Sequence, residues 1–501
     1  MSSESTNSKH YPLLIGTGAF ALLWVLARVC VQSVTIDEAD TYLESVWRAV
    51  PSHWDPRANN HVLNSLLMRL FTSIFGASAV TLRLPALIGA ALYLGAVYCL
   101  VRLISQRRLL QWSLFVCLAY SPFVMDYLVA ARGYGLASAF LMWMIAFAAG
   151  YQSKDAEARK GTLARTCMLI SVCGALCVSA NFAFAVAAAL TALGLYLWIC
   201  REHGREYFKI LAGFTLPGLA VAYFLVGSVV LAWPKGQFTW GTDSLFKMIQ
   251  SLVRASLFEP NHYFLNPRLH HYFVHFGPFL YPILAAFVLW GLVALGLRRR
   301  VSPLAMVCGL AVAAALACHQ FLYTVYGILL PLDRTAMWVI LLFLVMAGSL
   351  AAVPAPTRLG RASCCALTGI LTLIAGYNLG CLRLNYFNEW KYDADMKNVY
   401  AVLAHYNHTY GMTKVSTNWR YVASINCYRT MSGHETIEPI PDAPVVVNFY
   451  PAGYQAYVFY YPADEDFYKR EGLKLVYHDE FTDVAVGIRP EVESMTRGVR
   501  R

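Results

Sequence analysis

The sequence predicts an α-helical polytopic membrane protein of about eleven spans, with a small C-terminal α/β domain on the exoplasmic side. Three observations predict it. The 501 residues are 58% hydrophobic and only 14% charged, with a mean hydropathy of +0.48, a balance that no water-soluble domain requires. Apolar runs near the roughly 20 residues that a helix needs to cross a bilayer recur up to residue 384. From residue 385 the acids, scarce until then, become frequent, and the apolar runs shorten to soluble lengths.

The runs lie near 12–33, 79–101, 109–125, 134–151, 165–179, 182–200, 208–232, 277–297, 301–324, 335–353 and 362–384. The first has no short apolar core followed by a small-residue cleavage site, so it reads as an uncleaved anchor. Cations then orient the chain. Arg102/Arg107/Arg108, Lys154/Arg159/Lys160/Arg165, Arg201/Arg205/Lys209, Arg298/Arg299/Arg300 and Arg358/Arg361 all fall in loops on one side, while the short loops opposite carry only Arg132 and Arg334. The positive-inside rule makes the basic side cytoplasmic. The +11 formal charge is therefore topological and gives no support to a nucleic-acid partner.

The first loop, 34–78, concentrates carboxylates between two apolar runs: Asp37, Glu38, Asp40, Glu44 and Asp55. Thr35 and Glu38 have the spacing of a capping box, which starts a helix at about Ile36 and lets it run toward Pro51. Asp37 then lies in the first turn, where the helix dipole favours its ionised form, and Asp40 and Glu44 share its face. An oriented, ionised aspartate at a membrane surface suits a general base. A second helix follows Asn60: Leu63, Leu66, Leu67, Leu70, Phe71 and Ile74 form an apolar face, Gly76 ends it, and His61, Asn64, Ser65 and Arg69 fall on the polar edge that turns toward the acids.

Other charges sit at span ends on the same side. Asp126 and Arg132, with Tyr134, join the third and fourth spans, and Asp333-Arg334 follow the ninth. Charges held at the lipid boundary are functional candidates because they are costly there. The loop 233–276 has an amphipathic piece near 244–258 and four histidines, His262, His270, His271 and His275, whose spacing fits interfacial residues better than metal ligands. The thirteen cysteines lie mostly within spans, without CxxC pairs, and read as packing residues. Beyond 384, the pattern predicts a helix over 393–406, strands over 414–417 and 443–449, and a closing pair of strands over 473–477 and 484–488. The aromatic stretch 449–461 reads as packing against the bilayer or the domain core rather than as a binding surface, and Asn407-His408-Thr409 is a glycosylation sequon only in a compartment with the machinery.

An arginine at the lipid boundary beside a carboxylate base is suited to a lipid-phosphate leaving group, since guanidinium pairs bidentately with phosphate oxygens. No P-loop or cytoplasmic nucleotide-sugar domain is evident to supply a donor from inside.

Asp37-Glu38-Ala39, Asn60-His61-Val62-Leu63-Asn64-Ser65-Leu66-Leu67, Phe75-Gly76-Ala77-Ser78, Leu82-Arg83-Leu84-Pro85-Ala86-Leu87-Ile88-Gly89 and Ala131-Arg132-Gly133-Tyr134 resemble, in order and spacing, the GT-C glycosyltransferases of the protein O-mannosyltransferase, lipid A aminoarabinose transferase and rhizobial lipopolysaccharide glycosyltransferase type. The resemblance covers 10–200 well and the outer domain weakly. It implies an enzyme of the bacterial inner membrane that takes a sugar from a polyprenyl-phosphate donor, on the face toward the periplasm or exterior, and passes it with inversion to a lipid, glycan or protein acceptor. Asp37 matches the first-loop catalytic aspartate of that class, with Glu38 and Asp40 as orienting acids. Arg132 and Arg334 are assigned to the donor phosphate, and His61, Asp126 and Tyr134 to substrate. Val62 stands where relatives have proline, and Ala130 where they have an acid. Arg83 reads as structural. Metal use varies within the class, a divalent ion being one option, and no metal ligand is assigned. Two rival readings are a transporter or flippase, which favours ionisable residues near mid-span and inverted repeats, and a lipid-linked glycan ligase, which carries its key arginines late in the chain.

Overall fold

A computed structural model describes residues 11–48, 59–153, 240–261, 265–296, 301–433, 436–445 and 450–494, together with the isolated positions 216, 220, 223 and 224. The expected spans 165–179, 182–200 and 208–232, as well as Asp55 and His262, lie outside these residues apart from those isolated positions.

Six described helices are long and apolar enough to cross a bilayer: Pro12–Val31, Ala79–Ile104, Pro267–Gly296, Pro303–Tyr326, Asp333–Ala351 and Arg358–Gly380. They correspond to expected spans, with one extension. The span expected over 277–297 starts earlier, because an amphipathic helix over Pro267–Phe276 runs through a 3-10 turn into Leu280–Gly296. The expected span 109–125 is instead a broken pair, Arg108–Ala119 and Pro122–Val129, bent by 53°. Pro122 explains the break. It lacks the N–H that would continue the first helix, and its fixed φ suits the first turn of the next.

Seven described helices of the first half build the region around the acidic loop. Helix α1 spans Tyr11–Val31, α2 Ile36–Asp40, α3 Val62–Phe75 and α4 Ala79–Ile104; the broken pair supplies α5 and α6, and α7 spans Tyr134–Ser153. The acidic helix does not stay α-helical as expected. Beyond Asp40 it widens into a π-helix over Thr41–Trp47, in which the Arg48 N–H donates to the carbonyl of Leu43, a form that concentrates at functional sites. Helices α4 and α7 cross in close contact because Gly89 has no side chain. A Cβ there would lie 2.7 Å from the backbone nitrogen of Leu136.

Helix α3 turns Val62, Asn64, Ser65 and Met68 inward and leaves Leu70, Ile74 and Phe75 exposed. Its polar edge therefore faces protein, and its apolar edge faces outward, where lipid would satisfy it. Asn60 does not cap this helix. His61 occupies the cap position, and the Asn60 side chain accepts the Ser65 hydroxyl at 2.8 Å.

Beyond residue 384 a four-stranded sheet has the order β1-β2-β4-β3, with β1 Val415–Thr417, β2 Ala456–Tyr460, β3 Lys474–Asp479 and β4 Val484–Ile488. Strands β1 and β2 are parallel; the other pairs are antiparallel, including the expected β3–β4 pair. Both faces are covered. Ala456 and Val458 meet the helices Met396–Tyr410 and Trp419–Ser432, while Tyr457 and Phe459 meet Phe467 and Leu473. The aromatic stretch thus supplies a strand that periodicity did not separate from a packing segment. The strand expected over 443–449 is not seen where it is described: 443–445 is irregular and Val445 is 79% exposed. Asn407 is also unsuited to glycosylation, being buried with its amide donating to the Met412 carbonyl and accepting from Thr436.

The helix Trp419–Ser432 joins this sheet to the first loop. Tyr428 accepts the Val34 N–H at 2.8 Å, Ser424 donates to Asp393, and Cys427 packs with Val34, Ala39 and Leu43.

Candidate active site

The site begins with the capping box at the start of α2. The Thr35 hydroxyl accepts the Glu38 N–H at 3.3 Å, and the Glu38 carboxylate accepts the Thr35 N–H at 3.0 Å. This fixes the direction in which Asp37 leaves the helix. A third carboxylate completes the helix start: Asp393, from far along the chain, accepts the Ile36 N–H at 2.7 Å.

Adjacent acids then take opposite roles. Glu38 is buried and faces Arg83, whose Nε and Nη2 each donate to it at 2.7 Å, and it also accepts the Ala131 N–H at 2.8 Å. Burial alone would raise its pKa, but the Arg83 charge and these hydrogen bonds outweigh that and hold it below the usual glutamate range. With both oxygens engaged by the scaffold, Glu38 orients the loop that carries Asp37 and offers nothing to an acceptor. Arg83 is structural as expected. It also ties down the end of α1 by donating to the carbonyls of Val29, Gln32 and Ser33.

Asp37 instead faces a half-open cluster. Its Oδ2 lies 3.1 Å from Arg334 Nη2 and 3.6 Å from Arg132 Nε, and its side chain keeps 21% of its surface accessible. Burial pushes its carboxyl up, but the Arg132 and Arg334 guanidiniums, with His61, prevail and hold it below the ordinary aspartate range. Asp37, Arg132 and Arg334, distant in sequence, are thus brought together.

Each arginine is locally held. Arg132 is buried in the turn between α6 and α7, where Gly133 adopts a φ of +76° that a side chain would resist. Its Nη1 donates to the Thr41 hydroxyl at 2.5 Å and to the Asp37 carbonyl at 3.1 Å, and its Nη2 donates to Asn59. Its buried Nε has no hydrogen-bond partner. Arg334 stands in a 3-10 turn, Asp333–Ala336, after Asp333 has turned to a φ of +46°. That turn is braced from outside: Ser251 accepts the Asp333 N–H, and Thr242 and Leu330 form a bridge. The Arg334 guanidinium lies over Trp240 and Trp390 and pairs with Glu389.

The remaining predicted residues divide. His61 and Tyr134 border the cluster, with ring centroids 4.8 Å apart, and Tyr134 stacks edge-on to Tyr127. Asp40 is half-buried at the far end of α2. Asp126 is enclosed elsewhere: Arg28 donates to one of its oxygens at 2.5 Å and the Asn388 N–H to the other at 3.0 Å. It holds the strap that follows the last helix rather than joining the cluster around Asp37, which differs from its assignment to substrate. Sequence reasoning missed Glu389 altogether. Its signal is an acid directly after the last span in an aromatic run, Phe387-Asn388-Glu389-Trp390, hidden among the many acids of that half.

Among the described residues no three His, Cys, Asp or Glu side chains converge as a metal site. The set around Asp37 does not fit a divalent cation, because two guanidiniums occupy the carboxylate. The same set fits an anion.

No family profile and no curated protein matches the chain. Among solved structures, ArnT from Cupriavidus metallidurans bound to undecaprenyl phosphate aligns with a TM-score of 0.50 and 11% identity, over 95% of this chain and 97% of that one. The apo state of ArnT aligns with a TM-score of 0.50 and 10% identity over 96% and 98%. An Archaeoglobus fulgidus oligosaccharyltransferase in the apo form aligns with a TM-score of 0.44 and 12% identity over 86% and 64%. At these identities the ArnT likeness is one of fold. The chain shares the fold of ArnT over nearly its full length.

Proposed function

We propose that this chain is a membrane glycosyltransferase that moves a sugar from a polyprenyl-phosphate donor to a lipid, glycan or protein acceptor on the exoplasmic face. One observation carries the reading. A half-open carboxylate, Asp37, shares its oxygen with two guanidiniums, and the Arg132 Nε beside it is buried without a hydrogen-bond partner. A buried donor left unpaired is costly, and a phosphate oxygen is a partner of matching charge. The GT-C fold, and the undecaprenyl phosphate named with the ArnT structure, support a lipid carrier for that phosphate.

In this reading Arg132 and Arg334 bind the donor phosphate. Asp37 takes the proton of the acceptor hydroxyl or amine as its oxygen or nitrogen bonds to the anomeric carbon. The bond from that carbon to the phosphate oxygen breaks on the opposite side, with inversion, and the polyprenyl phosphate leaves with its new negative charge met by the guanidiniums. Donor binding also prepares the base. While the guanidiniums pair with Asp37 they depress its basicity; once phosphate oxygens engage them, the carboxylate recovers it.

Purified protein supplied with a panel of polyprenyl-phosphate sugars and a membrane extract as acceptor source tests the reading. Wild type is expected to release polyprenyl phosphate with one of them, and Asp37→Asn to lose at least 100-fold of that rate while remaining folded, as removal of a general base does. Equal turnover by both proteins would remove Asp37 from the mechanism, and turnover by neither would remove the transferase.

A further inference from the structure

The strap that follows the last helix is pinned along its length. The Tyr386 carbonyl accepts from Arg28 at 3.2 Å, the Phe387 ring lies between the Arg28 and Arg83 guanidiniums, and the Asn388 N–H donates to Asp126. Trp390 is buried against Phe387 and Tyr127. Between these anchors Glu389 is the residue left to project, with a third of its side chain accessible. One of its oxygens accepts from Arg334 Nη1 and the other from the Tyr127 hydroxyl.

Arg334 therefore has both ends of its fork occupied, Nη2 by Asp37 and Nη1 by Glu389. A phosphate that is to be held bidentately by this guanidinium has to replace a carboxylate on it. Asp37 has a competing claim from Arg132; Glu389 has a neutral partner, Tyr127, to which it can remain bonded after losing Arg334. The planar fork exchanges one carboxylate oxygen on Nη1 for a phosphate oxygen without leaving its place between Trp240 and Trp390.

We propose that Glu389 is a specificity-determining carboxylate that occupies the phosphate position on Arg334 and must be displaced by the ligand, so that a lipid-anchored phosphate enters and a free phosphate is refused. The inference rests on the reading of Arg334 as a phosphate ligand. The physical basis is competition. A carboxylate tethered by the strap is present at high effective concentration, so a free anion has only its charge with which to displace it, whereas a polyprenyl phosphate adds the burial of its chain in the bilayer.

The sign of the effect separates this role from a structural one. If Glu389 competes with phosphate, Glu389→Gln tightens phosphate binding; if it merely holds Arg334 in place, the same change weakens it. The experiment measures undecaprenyl phosphate binding to the detergent-solubilised full chain, and competition by inorganic phosphate, for wild type, Glu389→Gln and Tyr127→Phe. Each variant is first checked for an unchanged unfolding midpoint. For Glu389→Gln, undecaprenyl phosphate is expected to bind about fivefold more tightly, the scale of a partly exposed ion pair, and inorganic phosphate to begin competing where it does not with wild type. Tyr127→Phe, which frees one Glu389 oxygen without removing its charge, is expected to leave inorganic phosphate excluded, and it carries the test of exclusion by charge if Glu389→Gln does not fold. Unchanged or weaker lipid binding by folded Glu389→Gln overturns the inference while leaving Arg334 as a phosphate ligand. Inorganic phosphate competing equally with wild type or with Tyr127→Phe overturns the exclusion. Failure of wild type to bind undecaprenyl phosphate overturns the functional reading and the inference together.

Discussion

Arg83 grips Glu38 through two parallel hydrogen bonds of 2.7 Å, and both side chains are almost wholly excluded from solvent. The pair fixes the base of the first loop, so the neighbouring Asp37 faces outward by geometry rather than by its own contacts. Removing one partner of a buried pair leaves the other charge uncompensated, which costs about 3–5 kcal/mol. Glu38→Gln is therefore expected to lower the unfolding midpoint sharply and to reduce activity only through loss of folded protein. The pH dependence has a definite sign. Because the folded pKa of Glu38 is depressed, its contribution is fully present above the ordinary glutamate value and is lost as pH falls through the lowered folded value. Thermal unfolding of both proteins across acidic pH measures it. Superimposable curves would show that the pair carries no stability.

The two acids also show what the sequence discloses. The helix start was legible because a capping box is local: Thr35 and Glu38 are three residues apart, and their types alone specify the bonds. Arg132 and Arg334 were legible because a charge at a span end is conspicuous against apolar surroundings. Glu38's true partner was not, since Arg83 lies 45 residues away and no local rule pairs them. Asp393 and Glu389 were hidden for the same reason, one capping α2 and the other reaching Arg334 from beyond the last helix. The bend at Pro122 illustrates a different limit. Hydropathy averages over a window, and a window cannot separate one span from two short helices of the same composition.

On the proposed mechanism, Asp37 leaves a signature in the pH–rate profile. Burial raises its pKa, but Arg132, Arg334 and His61 bring it below the ordinary aspartate range, so without donor its carboxylate is ionised down to unusually low pH. The acidic limb of kcat/KM, which reports the free enzyme, is expected below the ordinary aspartate range. The limb of kcat reports the complex, in which donor phosphate engages the guanidiniums, and is expected to lie higher. Arg334→Gln should shift the kcat/KM limb upward toward the kcat limb. Coincident limbs in wild type, both at the ordinary carboxylate value, would mean that the arginines do not govern this base.

Asp393 has the opposite electrostatics. Burial dominates and drives its pKa well above the ordinary value; the hydrogen bonds from Ile36 and Ser424 oppose this, and the nearby negative charges of Asp37 and Glu38 reinforce it. Such a group binds its proton more tightly folded than unfolded. Its contribution to stability is therefore present below the ordinary aspartate pKa and is lost as pH rises through the raised folded value. Asparagine keeps an oxygen for the Ile36 N–H and presents an NH₂ to the Ser424 oxygen, without a charge to desolvate. Asp393→Asn is accordingly expected to match wild type at about pH 3.5, below the ordinary aspartate pKa, and to exceed it at pH 8. Unfolding midpoints at the two pH values decide the matter. A variant less stable than wild type at pH 8 would mean that Asp393 is ionised in the folded protein and that α2 depends on its charge rather than on its hydrogen bond.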